Sequence, residues 1–462
     1  MFLDLDKKEK LSVAAIDDSG SSISYGELCD FSDEFYDQIR QRTLIFILSE
    51  NCTGSMAGYV GSLSAKVVPL LLSSNTDRDL LNRLIDIYRP SFIWIPERLS
   101  GEFHYLPVFG KFGYLLLKTG FSGYNLYDGL SLLLPTSGST GSPKLVRHSY
   151  HNVEANAGNV AAFFDLNADE KAIAMLPMHY TMGLSVITSH LSAGATALLT
   201  KKSLTDKEFW EFTRGNKATS FTGVPYSYEV LYRLRFFRMD LPDLKLLTQG
   251  GGKLSDQLFK EYADYAEKTG RKFIATYGQT EGTARMAYLP ARLATIKTGS
   301  IGQAIPNGRL SLIDETGIEI SEMEATGEMV YSGPNVTLGY ATSRDDLMKG
   351  DENNGVLHTG DIARRDVDGY YFIVGRISRF LKLYGLRISL DETEQMIRTA
   401  FAIECNCTGN DEKMRIFITD ESKKETLHEY IVEKTGLFHK AVEIIVVDEL
   451  LKNEAGKTIY IR

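Results

Sequence analysis

The sequence predicts an α/β fold: a large N-terminal part of mixed sheets and helices, a small β section, and a small α+β C-terminal part. Three features carry this. Short apolar runs alternate with amphipathic stretches through the first two thirds of the chain. From about Thr295 short strands come with turn signals, and after Arg376 a shorter run of strand and helix patterns follows.

In order, LIFILSEN at 44–51 reads as a buried strand entering a turn, 51–66 as a helix of small and apolar residues, and VVPLLL at 67–72 as the next strand. FIWIP at 92–96 is another strand. SLLLPTSGST at 131–140 is a strand running into a Ser/Thr/Gly loop, and the stretch after Lys144, through His151 and Asn156, resumes a helical pattern. Residues 172–176, 196–199, 244–247 and 273–275 repeat the strand theme. RLSLIDETG, TGEMVYSG and DGYYFIVG mark the β section at about 299–375. Beyond it lie FLKLYG, a helix at 390–399, a strand at 414–419, a helix at 424–435 and a strand at 442–447. The expected domains are therefore 1–375 and 376–462, with the boundary at 375–379.

Composition bounds the function. At 462 residues, 43% hydrophobic and 24% charged, the chain has the make-up of a globular enzyme. A net charge of −9 with dispersed Lys and Arg argues against a nucleic-acid partner. No apolar run reaches the length of a membrane span, and the N-terminus MFLDLDKKEKLSV lacks the apolar region of a signal peptide. The four cysteines, Cys29, Cys52, Cys405 and Cys407, are too few for a disulfide framework and suit a reducing cytoplasm. Cys405 and Cys407 form C-x-C, but no second Cys pair or spaced His pair completes a metal site.

The segment PTSGSTGSPK at 135–144 points to phosphate binding. Gly138 and Gly141 let the backbone bend and bring N–H groups close to oxygen atoms. Thr136, Ser137, Ser139 and Thr140 add hydroxyl donors, and Lys144 adds a positive charge. The pattern departs from G-x-x-x-x-G-K-[ST], since no Ser or Thr follows a Gly-Lys pair.

TSGSTGSPK resembles the signature loop of the adenylate-forming superfamily: acyl- and aryl-CoA synthetases, peptide-synthetase adenylation domains and beetle luciferases. Leu145 stands where that family commonly has Gly. Further segments resemble the family's other motifs, in the family's order, over nearly the whole chain. GGGKL resembles the glycine turn beside adenine, which implies Gly250, Gly251 and Gly252 there. TYGQTEG resembles the aromatic-Gly-x-Thr-Glu motif. The resemblance implies that Thr276 and Tyr277 lie at the adenine, that Thr280 donates to a phosphate or the acyl carboxylate, and that Glu281 holds Mg²⁺. TGEMVYSGPNVTLGY at 326–340 resembles the strand–turn segment before the ribose site and reads as structural. HTGD implies that Asp361 accepts from the ribose hydroxyls, with Arg376 also reaching the ribose. GRISRFLKLYG resembles the hinge and the start of a mobile C-terminal lid: Ser378 falls at the hinge, where Asp or Lys is more usual, and Lys382 and Gly385 match the lid loop of the second half-reaction. NEAGKTIY resembles the closing motif, which makes Lys457 the mobile lysine bridging carboxylate and phosphates.

The resemblance implies two half-reactions. A carboxylate attacks the α-phosphate of ATP and releases pyrophosphate; a thiol then attacks the acyl-adenylate and AMP leaves. LPMHYTMGLSV at 176–186 resembles the acyl-pocket segment, with His179, Tyr180 and Gly183 lining it and Val224 of FTGVPY on another wall. Amino-acid-activating members carry an Asp in this region. No acidic residue lies between Met175 and Thr200, so the expected substrate is a carboxylic acid without an α-amino group. The thiol is that of CoA or of a phosphopantetheine arm. The short C-terminal part leaves open a stand-alone enzyme that loads a separate carrier protein. A third reading is a non-catalytic nucleotide-binding homologue, against which Lys144, Glu281, Asp361 and Lys457 argue.

Overall fold

The structure, a computed structural model, describes residues 1–135, 144–383, 386–410, 412–435 and 437–452. The chain divides into two compact units, one of residues 1–299, 304–309 and 332–357, the other of residues 300–303, 310–331 and 358–462.

The first unit is built on two sheets. One is mainly parallel and includes, side by side, Lys272–Tyr277, Leu246–Gln249, Ser220–Gly223, Lys171–Ala174, Thr196–Leu199 and Val13–Asp17. The other runs from Tyr340–Ala341 through Leu145–Ser149, Leu130–Pro135, Val68–Ser73, Leu44–Ser49, Phe92–Pro96 and Tyr114–Lys118 to Leu106–Lys111. Strands such as LIFILS and LSLLLP are near-continuous apolar runs because both of their faces are covered. Helices Tyr25–Ile39, Thr53–Ser64, Tyr150–Phe164 and Thr181–Ser192 share one core with residues of both sheets, including Ala15, Ile47, Phe31, Met56, Val153 and Leu184. Thr53–Ser64 and Thr181–Ser192 are buried along almost their whole length, which explains their small, apolar and hydroxyl-rich composition.

One expectation is corrected here. Lys144 does not lead into a helix. Leu145–Ser149 is a strand, antiparallel to Leu130–Pro135 with Pro135 opposite Leu145, and its other edge pairs with Tyr340–Ala341. The helix begins only at Tyr150, where the Ser149 side chain accepts from the Asn152 backbone and Asn152 returns the bond. The reason lies in burial: Leu145, Val146, Arg147 and His148 are all inaccessible. The buried Arg147 guanidinium is satisfied by the carbonyls of Leu338, Tyr340, Lys349 and Gly350 and by the Glu352 carboxylate. Leu145, the departure from glycine, packs in a core with Leu133, Leu338, Ala341 and Leu347.

The second unit carries a sheet in the order Arg309–Ile313, Ala325–Ser332, Val356–Arg365, Tyr371–Arg376, which accounts for the turn-rich texture of this stretch. Phe380–Leu383 pairs with Leu386–Ser389, and Lys413–Ile418 lies between Cys405–Asn410 and Val442–Val446. Helices Leu390–Phe401 and Lys424–Thr435 complete it. The strand Cys405–Asn410 has no apolar run to announce it. Cys405 and Cys407, two residues apart on one face, are fully buried core residues. Among the described residues no group of His, Cys, Asp or Glu is arranged to hold a metal, and no helix is long and apolar enough to cross a membrane.

Candidate active site

In the first unit, the expected acid pocket and the expected adenine turn adjoin each other. The backbone N–H of Tyr180 donates to Pro177 O at 3.0 Å, and the helix Thr181–Ser192 starts directly after it. Gly183 sits in the first turn of that helix, where a Cβ would lie 2.3 Å from Pro177 O and 2.5 Å from Leu176 O. A side chain there would break the turn that presents Tyr180. Tyr180 packs against Leu176, Met182 and Val224. Gly251, at φ +76°, brings its backbone against the same group: a Cβ would stand 2.7 Å from the Tyr180 hydroxyl. Beside it Gly250 closes on Thr276, whose hydroxyl donates to Gln249 O at 3.0 Å, and Gly252 lies against Pro225. His179 Nδ1 lies 3.4 Å from the Ser49 hydroxyl.

The motif TYGQTEG runs out of the strand Lys272–Tyr277 into a tight turn, Thr280–Gly282. Gln279 O accepts from both Gly282 N and Ala284 N, and Tyr277 O accepts from Met286 N. Thr283 and Ala284 are held at φ 50° and 78°, a strained stretch for residues with side chains. Thr337 N donates to Glu281 O, Thr283 Oγ1 donates to Asn335 O, and Asn335 Nδ2 donates to Gly282 O, so residues 335–340 fix the turn from outside. The Gln279 amide donates to the Tyr277 hydroxyl at 3.2 Å.

Tyr340 ties two of the expected residues together. Its hydroxyl donates to Glu281 Oε1 at 2.7 Å, and Lys144 Nζ stands 5.5 Å from its ring centroid. A carboxylate at the hydroxyl and an ammonium group over the ring thus share one side chain, beside the strand Leu145–Ser149. The segment ending at Tyr340, expected to be mainly structural, also supplies a side chain that contacts two of the expected residues.

In the second unit Asp361 and Arg376 face each other across paired strands, and Arg376 Nε donates to Asp361 Oδ1 at 2.6 Å. The Asp361 side chain is 2% exposed and that of Arg376 54%. The carboxylate is fixed, and the cation is placed at the surface beside it. Arg376 N also donates to Asp391 at the start of the helix Leu390–Phe401. Ser378 falls in the short turn Ile377–Arg379 and Lys382 in the strand Phe380–Leu383. Thr136, Ser137, Gly138, Ser139, Thr140, Gly141, Gly385 and Lys457 lie outside the described residues.

Comparison with known proteins decides what this arrangement belongs to: the family model for the AMP-binding enzyme matches residues 127–341, which hold the hairpin, the pocket segment, both glycine-bearing turns and Tyr340. Over those residues the chain is similar to the AMP-binding enzymes. The chain is 26% identical over 345 residues to the oxalate–CoA ligase of Arabidopsis thaliana, covering 71% of the chain and 66% of that enzyme. It is 31% identical over 270 residues to the indoleacetate–CoA ligase of Aromatoleum aromaticum, covering 58% and 51%. The chain thus spans half to two thirds of the length of these relatives. Its fold is that of the O-succinylbenzoate coenzyme A synthetase of Bacillus subtilis in complex with AMP, with a TM-score of 0.79 at 19% identity, covering 98% of this chain and 96% of that one.

Sequence reasoning missed Arg285. It lies in TARMAYLP, whose only signal is one charge in an otherwise apolar run, and it is 1% exposed. Its Nη1 donates to the Ser185 hydroxyl at 2.5 Å, and its Cζ lies 5.2 Å from the Phe164 ring centroid. The nearby His190, in the helix Thr181–Ser192, is pushed down to about 4 by burial and is neutral. Burial also pushes the Tyr180 phenol up to about 12, while the charge of Arg285 pulls it back.

Proposed function

We propose that this protein activates a carboxylic acid with ATP to an acyl-adenylate, releasing pyrophosphate, and passes the acyl group to the thiol of CoA. The observation that carries the reading is the meeting of Lys144 and Glu281 on Tyr340, directly beside the hairpin of the phosphate loop. The principal barrier is electrostatic, because two anions must approach. Lys144, the donors at 136–141 and Lys457 supply positive charge and hydrogen bonds to the phosphates. Glu281 fits Mg²⁺: the ion binds through one or two carboxylates plus the nucleotide's own phosphates, and Glu281 has a second oxygen, Oε2, that no described residue engages. When bound, Mg²⁺ neutralises phosphate charge. Tyr277 and Gly250–Gly252 bind adenine, Asp361 and Arg376 the ribose, and Tyr180, Gly183 and Val224 the acid. Residues 376–462 act as the lid, turning at Ser378 to exchange Lys457 for Lys382. The four cysteines are unpaired, as suits the cytoplasm, where we place the protein.

The test is ATP–pyrophosphate exchange with purified protein, Mg²⁺ and a panel of acids, followed by product formation with CoA or with a phosphopantetheine-bearing carrier protein. Exchange followed by acyl-CoA release supports the proposal; transfer only to the carrier assigns the other thiol; no exchange with any acid refutes adenylation. Lys457→Ala is expected to lower exchange by at least about 100-fold while sparing thiol attack on a supplied acyl-adenylate. Equal loss in both half-reactions would contradict that role.

Tyr340→Phe removes one hydrogen bond to a carboxylate, an interaction of about 1.5–3 kcal/mol. The expected result is a drop in kcat of roughly 10-fold or more and a higher Mg²⁺ requirement, with the melting temperature little changed because the ring stays. Unchanged Mg²⁺ dependence would separate Tyr340 from Glu281.

A further inference from the structure

Arg285 presents an anomaly that the proposed reaction does not use. A guanidinium has five N–H donors, and at 1% exposure each should find an acceptor. Nη1 reaches Ser185, while Nε and Nη2 have no partner among the described residues. Among the described residues no carboxylate lies within ion-pair distance of it. Burial lowers its pKa to about 10, so it remains a cation at neutral pH. An isolated charge in such a place is costly and is normally paired.

The two unpartnered atoms are informative. Nε and Nη2 form the lateral edge of the guanidinium, two parallel N–H groups spaced to meet the two oxygens of one carboxylate. Arg285 stands beside the proposed acid-binding region: Ser185 is on the helix that Tyr180 and Gly183 begin, and the charge of Arg285 acts on the Tyr180 phenol. A cavity lined by His148, Asn156, Thr181, Ser185 and Thr283 adjoins the Ser185 end. Its wall is mainly apolar, with Leu132, Leu134, Val153 and Leu184 beside these polar groups, and among the described residues His148 Nε2 in that wall is also without a partner. The Phe164 ring stands against the cation, but no described neighbour brings a negative charge to it, since burial holds the Tyr180 phenol protonated.

We propose that the Nε/Nη2 edge of Arg285 receives a second carboxylate on the substrate, so that the acid activated here is a dicarboxylic acid, held at one end by Arg285 and adenylated at the other. This rests on the adenylation reading above. It fits a pocket wall, residues 176–199, that carries no acidic side chain. Arg285 is a specificity-determining residue in this proposal, because it touches the substrate away from the reacting carboxylate.

The experiment compares matched acids, linear and aromatic, in which one terminal carboxylate is kept or converted to its amide. ATP–pyrophosphate exchange and ligand-induced melting shifts are both measured, on wild type, Arg285→Gln and Arg285→Lys. For wild type the diacid is expected to exceed its amide partner in kcat/KM by about 100-fold, the scale on which a buried charge pair is lost when one partner is removed. Arg285→Gln should bring that ratio near one, and Arg285→Lys, with charge but no fork, should restore part of it. Diacids should raise the melting temperature of wild type and leave that of Arg285→Gln unmoved. Amide-ended acids performing as well as diacids in wild type would overturn the proposal, and that comparison needs no variant to fold. If no acid supports exchange, adenylation itself fails; an Arg285-dependent melting shift with diacids would still uphold the carboxylate site, and its absence would sink it.

Discussion

Gly278→Ala is expected to abolish the site while leaving most of the fold intact. A Cβ at Gly278 would lie 1.6 Å from the carbonyl oxygen of Ala284 and 2.5 Å from its carbonyl carbon. No rotamer change relieves a clash with backbone, so the loop from Gln279 to Arg285 has to move. That loop is already tightly held: Ala284 N is bonded to Gln279 O, Met286 N to Tyr277 O, and Thr283 and Ala284 stand at positive φ. The expected cost is about 3 kcal/mol or more, at the upper end of overpacking effects. Displacing Glu281 by even 1 Å costs on the order of 100-fold in rate. Gly282→Ala is the matched control. Its Cβ would meet Met286 Sδ at 2.3 Å, the flexible part of a methionine that can turn aside. Thermal melting and pyrophosphate exchange on the pair check the argument: Gly282→Ala should be much the milder in both. Comparable losses would show that the Ala284 contact is not what matters.

Asp361→Ala should cost the enzyme its ability to sense the ribose. The carboxylate is buried, fixed by its strand and by Arg376, and can accept from two hydroxyls. Each charge-assisted hydrogen bond is worth about 1.5–3 kcal/mol, so kcat/KM for ATP is expected to fall by about 100-fold or more. A purely structural aspartate could produce a similar drop, so the informative measurement uses 2′,3′-dideoxy-ATP. Wild type should prefer ATP strongly, and the variant should treat the two alike. Preserved discrimination in Asp361→Ala would assign the ribose contact elsewhere.

The fold was legible wherever burial wrote an apolar run. Strands at 44–49, 68–73 and 92–96 are covered on both faces, and their sequences show it. Reading failed where buried strands carry polar side chains. Leu145–Ser149 hides an arginine and a histidine whose partners come from residues 283 and 338–352, far along the chain. Cys405–Asn410, at the edge of its sheet beside Lys413–Ile418, buries Asn406 and Thr408. Long-range satisfaction of polar groups leaves no local pattern. The candidate site divides the same way. Lys144, Glu281 and Asp361 stand in compact motifs of unusual composition. Tyr340 and Arg285 are single residues in ordinary-looking segments, and their importance arises from what the fold sets opposite them.

The hairpin that carries the phosphate loop has a thermodynamic consequence. Pro135 and Leu145 are paired across the ladder, so the two ends of the nine-residue connection between them are brought together when the sheet forms. The entropy of closing that ring belongs to folding and is not charged again when a nucleotide arrives. Closure entropy also varies slowly with length: extending the connection from nine to twelve residues changes it by only about 0.3 kcal/mol. The length of the connection at 136–144 can therefore vary at little entropic cost to folding.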